Sequence, residues 1–399
     1  MTNPLRIAIV GAGIGGLAAA ALLARDGHSV TLVERFDTPR PLGSGLIVQP
    51  VGLGVLDQLG IGDEARRLGA PLTRMLGHSG RRVALDVHYR AHQPGLAMHR
   101  AALFHILWRA MLASGSTVLT GQTVRAARAS ASETCLVIDQ GDLGPFDLIV
   151  DASGAGSTLS PLKSRPLNYG AVWAHVAWPA TDLPKDELRQ RYRAASRMAG
   201  VLPIGCLPND PTPRAAVFWS LSQGELDAWP QRDHNDWCTE VSDFWPEMNS
   251  FLAPLTDKSQ LIPARYSHGA LRHPWTGRIA HIGDAAHRAS PQLGQGANMA
   301  LLDALSLALA LRLPLDQAPA AHHRARHGHL SLYQTLSAAL TPQYQSSSRF
   351  LPFLRDHILA PLSRIPPLPR MLTKIVSGDI LPPIRGLKWE SVGPGPHAD

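Results

Sequence analysis

The sequence predicts an α/β fold: a Rossmann-type nucleotide-binding domain, an antiparallel-sheet domain inserted into it, and a C-terminal helical region. Three observations carry that reading. A glycine-rich turn, Gly11-Ala12-Gly13-Ile14-Gly15-Gly16, joins an apolar run to an Ala/Leu-rich helix. Segments 170–178, 200–206 and 215–221 are rich in Trp, Val and Ile and lack a helical period. Beyond Ala320 a helix-prone stretch is punctuated by prolines.

Residues 5–10 form the continuous apolar run of a buried parallel strand, 15–25 a helix packed closely on it, and 29–34 the second strand of a βαβ unit. Segments 117–127 and 135–138 read as short strands joined by a polar turn, and 146–152 as another central strand. A further buried strand is expected over 278–282, followed by a loop and a helix from about 296 to 311. Pro314, Pro342, Pro352, Pro361 and the Pro366-Pro367-Leu368-Pro369 stretch should cut the C-terminal region into short pieces, and the last ten residues should fray. The expected domains are therefore 1–165 with 265–320, an inserted sheet over 166–264 joined by part of 70–100, and a helical region over 321–399. No internal repeat is present.

A chain of 399 residues can bury a large core, and no stretch long enough to span a bilayer escapes interruption by charge, Gly or Pro. The apolar run 5–23 has the length of a signal-peptide core, yet its glycines and the charged strand after it favour a folded βα unit. Cys135, Cys206 and Cys238 are too dispersed for a disulfide framework or a zinc knuckle, and a reducing cytoplasm fits them. The net charge of +7 favours anionic partners, but the arginines are scattered without the aromatic interleaving of a nucleic-acid surface.

Glycines in the 11–16 turn permit a tight bend, close approach of a pyrophosphate and close helix packing, with phosphate seated at the helix N-terminus. Glu34, eighteen positions after Gly16, sits where a carboxylate accepts hydrogen bonds from an adenosine ribose, and Arg35 follows it. The spacing alone does not separate FAD from NAD, and a ligand-free structural turn is the bland alternative.

A second pattern, Ile279-Ala280-His281-Ile282-Gly283-Asp284-Ala285-Ala286-His287, is followed by Pro291-Gln292-Leu293-Gly294-Gln295-Gly296-Ala297-Asn298. Together with the N-terminal turn, these residues resemble the class A flavoprotein monooxygenases related to para-hydroxybenzoate hydroxylase, over most of the chain to about residue 340. The resemblance implies FAD, with Asp284 on its ribityl chain and Pro291, Gly294, Gly296, Ala297 and Asn298 beside the isoalloxazine ring. A helix starting near Gly296 would offer unpaired N–H groups to the negative charge of reduced flavin. The match Met98-His99-Arg100 implies Arg100 on the flavin nucleotide, the 41–49 segment with Gly45 resembles the loop that approaches the ring, and Val124 is a further expected cofactor contact.

The pattern departs from the family at Ser153, where an Asp-Gly pair linked to FAD and reduced nicotinamide is usual. Asp151 lies on the same face of an extended strand and is expected to compensate in part. The Trp-x-Trp-x-Ile-Pro signature of tryptophan halogenases is absent.

The resemblance thus implies an FAD-dependent monooxygenase that uses NADPH or NADH and O2 to hydroxylate or epoxidise an aromatic or polyketide-like small molecule. An FAD-dependent halogenase, dehydrogenase or reductase of the same fold is the alternative, and a noncatalytic nucleotide-binding protein the alternative of another class. Substrate would lie between flavin and inserted sheet, making Tyr169, Trp173, His175, Phe218 and Trp219 candidate wall residues, although buried rings are also ordinary core. His287 is the candidate for proton control, against a purely structural hydrogen bond. His322, His323, His327 and His329 read as a solvated helix rather than a metal site. The apolar, basic stretch 350–376 reads as a lid or brace, with no stable membrane insertion.

Overall fold

A computed structural model describes residues 3–39, 43–129 and 133–389. Its first sheet has six strands in the order Trp275–Thr276, Ile279–His281, Leu148–Asp151, Arg6–Val10, Ser29–Val33, Thr117–Leu119. All but the Trp275–Thr276 edge are parallel. Alternation sorts the central strand onto two cores. Ile7 and Ile9 face the helices Ile14–Arg25, Arg100–Ala113 and Gly296–Ala310, while Ala8 and Val10 face a three-stranded antiparallel sheet.

The expected single strand over 117–127 is two. Gly121 takes a left-handed conformation (φ 67°), so Thr117–Leu119 ends the parallel sheet and Val124–Ala129 begins the three-stranded one.

The second large sheet has eight strands in the order His287–Arg288, Ile262–Ala270, Arg165–Ala177, Arg214–Ser222, Arg197–Pro203, Glu187–Arg193, Arg74–Ser79, Arg82–His88. Neighbours are antiparallel except Glu187–Arg193 with Arg74–Ser79, which run parallel. Because Ile262–Ala270 and His287–Arg288 belong to this sheet, it extends past the boundary expected at 265. One of its faces is covered by short helices, including His234–Phe244, around a core of Trp219, Trp237, Trp245 and Phe251. Asp233 caps that helix by accepting from the N–H groups of Asn235 and Asp236 at 2.8 and 3.0 Å.

The helix Ala318–Tyr344 runs 27 residues and contains Pro342 in its last turn, so the region is not broken before Tyr344 as the prolines had suggested. Pro342 falls where the helix ends anyway. A helical run follows over 350–362, built from Phe350–Leu354, the π-helical Arg355–Leu359 and Ala360–Leu362, so Pro352 and Pro361 do not break it; Leu368–Ser377 is a separate helix beyond Pro366-Pro367. Leu372 and Val376 of the last pack onto the eight-stranded sheet with Tyr192 and Phe218, and Thr373 Oγ1 donates to the His88 carbonyl at 2.7 Å. The fraying expected of the final ten residues concerns 390–399, outside the described residues. No helix among the described residues is long and apolar enough to cross a membrane.

Candidate active site

The strand Arg6–Val10 ends in Gly11, whose φ of 102° turns the chain against the neighbouring strand. A Cβ on Gly11 would lie 2.7 Å from the Ala152 carbonyl oxygen, and one on Gly16 would lie 1.9 Å from the Gly11 carbonyl oxygen. Both positions therefore admit only glycine. Gly13 differs, since a Cβ there meets nothing within 4 Å and would project into open space. That space is a cleft of about 470 Å³, walled by Gly11, Ala12, Gly13, Ile14 and Gly15, with Gly16 packed behind them.

Glu34 is buried at the same cleft, its Oε2 accepting from Ala12 N–H at 2.7 Å and its Oε1 from Phe36 N–H at 3.1 Å. Two backbone donors fix the carboxylate and leave lone pairs for hydroxyl groups in the cleft. Arg35 also lines it.

The opposite end of the cleft is built from the Gly283-Asp284 turn, the start of the Gly296–Ala310 helix and Arg100. Asp284 is exposed on the wall. Gln295 gives the helix no side-chain cap, so its first N–H groups stay available, and Gly294 just before it takes φ 61°. Arg100 begins the Arg100–Ala113 helix, which His99 caps by accepting from Ala101 N–H at Nδ1 (3.0 Å). Burial lowers the pKa of the Arg100 guanidinium while the Asp284 charge opposes the fall. Its Nε is buried with no hydrogen-bond partner among the described residues.

A second cavity, also about 470 Å³, lies between this junction and the eight-stranded sheet. Arg100, Asp284, Gly296 and Ala297 line both spaces, so cleft and cavity meet there. The far wall is the inner sheet face: Trp173 and Phe218, tilted against each other at 4.5 Å, with Leu188, Met198 and Leu202. Polar groups are few. Tyr266 accepts from Trp173 Nε1 at 2.9 Å, and burial lifts its hydroxyl pKa to about 12. Gln190, Gln292 and Gln345 also line the cavity, and Gln345 Oε1 is buried without a partner among the described residues.

Gly45, Pro291 and Gly294 line the sheet-side cavity, which joins the cleft at Arg100, Asp284, Gly296 and Ala297. Other residues proposed from sequence stand elsewhere. Asn298 faces neither; fully buried, it accepts from Gln49 N–H at 2.8 Å and donates to the Ile47 and Gly294 carbonyls at 3.1 and 2.9 Å, which holds the Gly294–Gly296 corner to the strand Gly45–Val48. Val124 is core between the two sheets, with Leu136, Phe146 and Ile149. Trp173 and Phe218 are paired across two strands and reach the cavity, whereas Trp219, one residue on, points to the opposite core. Tyr169 and His175 lie outside the cavity, His175 packing edge-on against His99 at 4.6 Å.

His287 is not a cleft residue: its Nε2 lies 2.6 Å from Asp303 Oδ2, both groups buried. Asp303 also accepts from Gly283 N–H at 3.0 Å and from Arg326 Nε at 2.8 Å. Burial would raise its pKa, but the charges of His287 and Arg326 hold it well below the usual carboxylate range. Asp151 likewise does not reach the cleft. Its carboxylate is taken up by His281 Nδ1 (2.8 Å), Ser153 Oγ (2.5 Å) and Ser157 Oγ (2.6 Å), while Ser153 itself lines the cleft. The histidine helix is only half solvated. His322 and His329 are buried, near Ser306 Oγ and the Gly378 carbonyl at 3.1 and 2.8 Å, while the His323 and His327 rings lie tilted against each other at 4.8 Å.

The sequence reading missed Leu188, Gln190, Met198, Tyr266 and Gln345 as cavity residues. Strict alternation offered a signal for Leu188 and Gln190, whose neighbours Arg189 and Arg191 disguise a half-buried strand.

Residues 5–328 match the model of the family described as FAD binding domain. A 3-hydroxybenzoate 6-hydroxylase of Klebsiella oxytoca is 30% identical over 335 residues, covering 78% of this chain and 81% of that protein. A 2-heptyl-3-hydroxy-4(1H)-quinolone synthase of Mycobacteroides abscessus is 28% identical, covering 77% and 82%. The solved structure of Klebsiella pneumoniae HpxO complexed with FAD shares the fold, with a TM-score of 0.76 at 20% identity, covering 94% of this chain and 99% of that one.

Proposed function

The chain belongs to the class A FAD-dependent flavoprotein monooxygenases, and from that premise we propose that it hydroxylates or epoxidises a neutral aromatic or polyketide-like molecule bound against the eight-stranded sheet. When bound, FAD supplies electron transfer from NAD(P)H to O2 and the electrophilic oxygen for insertion. The fit of the residues to the cofactor rests on the orphaned Arg100 Nε, the open wall at Gly13 and the preset Glu34 carboxylate. Glu34 would hold the adenosine ribose, Arg100 and Asp284 the middle of the nucleotide, and the uncapped end at Gly296 the electron-rich edge of the ring.

The chain's own contribution is placement and dryness. Trp173, Phe218, Leu188 and Leu202 exclude water from one side of the junction. Among the described residues Gln190 Nε2 and Gln292 Nε2 reach only the Met198 sulfur, at 3.6 and 4.0 Å, which leaves amide donors for a carbonyl or phenol oxygen of substrate. Gln345 Oε1 is an acceptor for a substrate O–H or N–H. Among the described residues Arg100 is the only cation on this cavity, and it stands at the cofactor junction. A carboxylate on the substrate would find no partner deep against the sheet.

The observation that carries the reading is the meeting of two cavities at Arg100, Asp284, Gly296 and Ala297. It is tested by supplying isotopically labelled O2, NAD(P)H and paired neutral and carboxylated aromatics, with hydrogen peroxide measured alongside. Labelled oxygen should enter a neutral product. Product without label overturns oxygen insertion, and preference for the carboxylated partner overturns the neutral substrate class.

A further inference from the structure

Eleven large hydrophobic side chains are exposed among the described residues, and nine of them lie between Phe350 and Leu381. Single exposed apolar residues need no explanation, but such a concentration does. Phe350 is 67% exposed, Phe353 and Ile365 55%, and Met371 48%. Leu362, Ile365, Leu368 and Met371 recur every third position through the Ala360–Leu362 and Leu368–Ser377 helices, and both helices pack on the edge strand Arg82–His88. These are not core residues left without a partner, because Leu372 and Val376 already give the last helix its buried face.

The same surface is cationic. Arg349, Arg364, Arg370 and Lys374 are exposed, and none forms an ion pair among the described residues. Between residues 349 and 377 the only carboxylate is Asp356, which is held by Arg355 at 2.6 Å. Arg364 reaches Asp86 only through its field, since Asp86 is bridged to Arg74 at 2.8 Å.

We propose that this face docks on an anionic lipid surface, with Phe350, Phe353, Ile365 and Met371 entering the headgroup boundary and the four cations lying among the headgroups. A second copy of the chain fits less well. Two-fold pairing would press the cations toward their own counterparts with no free carboxylate to receive them. The helical run 350–362 and the helix Leu368–Ser377 are each far shorter than a bilayer span, so the segment lies along the bilayer and does not enter it deeply. Its inner side adjoins the site: the Val376 carbonyl accepts from Gln295 Nε2 at 2.8 Å, one residue before Gly296. Lipid docking therefore sets an apolar substrate reservoir beside the sheet-side cavity.

The test reads lipid binding and is independent of turnover. The full chain with its flavin is floated with vesicles of phosphatidylcholine alone or mixed with phosphatidylglycerol. It should rise with the mixed vesicles and stay below with the neutral ones. Replacing Arg364→Gln and Arg370→Gln together should weaken partitioning about 25-fold, at roughly a fivefold loss per cation. Phe353→Ser with Ile365→Ser should abolish flotation while the purified protein keeps its flavin. Failure to float, or equal flotation on neutral vesicles, overturns the proposal. So does a dimeric mass in light scattering that Phe353→Ser with Ile365→Ser splits, which assigns the face to a second copy.

Discussion

Asp303 is the residue through which the fold holds the Gly283-Asp284 end of the cleft without lining it. Its carboxylate is 3% exposed and gathers three donors: Gly283 N–H, the His287 ring and the Arg326 guanidinium. Replacing Asp303→Leu leaves Arg326, itself 2% exposed, with the Pro383 carbonyl as its strongest remaining acceptor. Breaking a buried ion pair from one side costs roughly 3–5 kcal/mol, a large share of the about 5–15 kcal/mol that keeps a domain folded. The Gly283 N–H also loses its acceptor, at about 1–3 kcal/mol, and that N–H begins the turn that presents Asp284.

Two measurements separate these effects. Urea unfolding followed by circular dichroism should show the large loss for Asp303→Leu and a comparable one for His287→Ala. Flavin absorbance after desalting should fall for both, since the turn is loosened. Asp284→Ala should behave oppositely: the side chain is exposed, so stability changes by about 0.5 kcal/mol or less, while flavin retention weakens roughly tenfold or more with the loss of a charged contact. The double variant Asp303→Leu with Arg326→Leu should cost less than the two single changes added, because no charge is stranded. An Asp303→Leu protein within about 1 kcal/mol of the parent would refute the reasoning.

Other outcomes follow from the same geometry. Gly16→Ala should prevent correct folding, because its Cβ meets the Gly11 carbonyl oxygen, whereas Gly13→Ala should melt like the parent yet bind FAD poorly, its methyl filling the cleft; equal flavin affinity in Gly13→Ala would remove that turn from the cofactor site. Burial lowers the pKa of His322 and His329 to about 4, against about 6.5 in the unfolded chain, so their neutral forms support the fold fully above about pH 6.5, and that support drains away as pH falls toward 4, by roughly 3 kcal/mol per ring. Urea midpoints that stay constant from about pH 7 to about pH 5 would contradict this. Phe218→Leu should raise KM several-fold and divert more reducing equivalents to hydrogen peroxide, while Trp219→Phe, on the other sheet face, should change neither; the reverse ranking would place the substrate elsewhere.

The glycine-walled cleft was readable in the sequence because its shape is carried by backbone. Gly11, Gly13 and Gly16 each state a local demand on conformation or approach, and Glu34 follows at the spacing one βαβ unit imposes. Asp284 and Gly296 are likewise marked by the strand end and helix start around them. The readings that failed were those needing knowledge of which way a side chain points. Asp151 was expected beside Ser153 on the cleft, but His281, from the adjacent strand 130 residues away, captures its carboxylate. His287 sits just past the cleft-lining Gly283-Asp284 pair, yet Asp303 and Arg326 draw it into the core. The sheet-side cavity was the least legible part because no segment owns it: Met75, Leu188, Met198, Phe218 and Tyr266 come from five different strands. Only the strand register brings their inward faces together, and Glu187–Arg193 hides its two cavity residues among charges. Local sequence thus specifies the glycine-walled cleft, whereas the wall of the sheet-side cavity is a product of long-range pairing. That division lets one cofactor site serve different substrates through changes on a few strand faces.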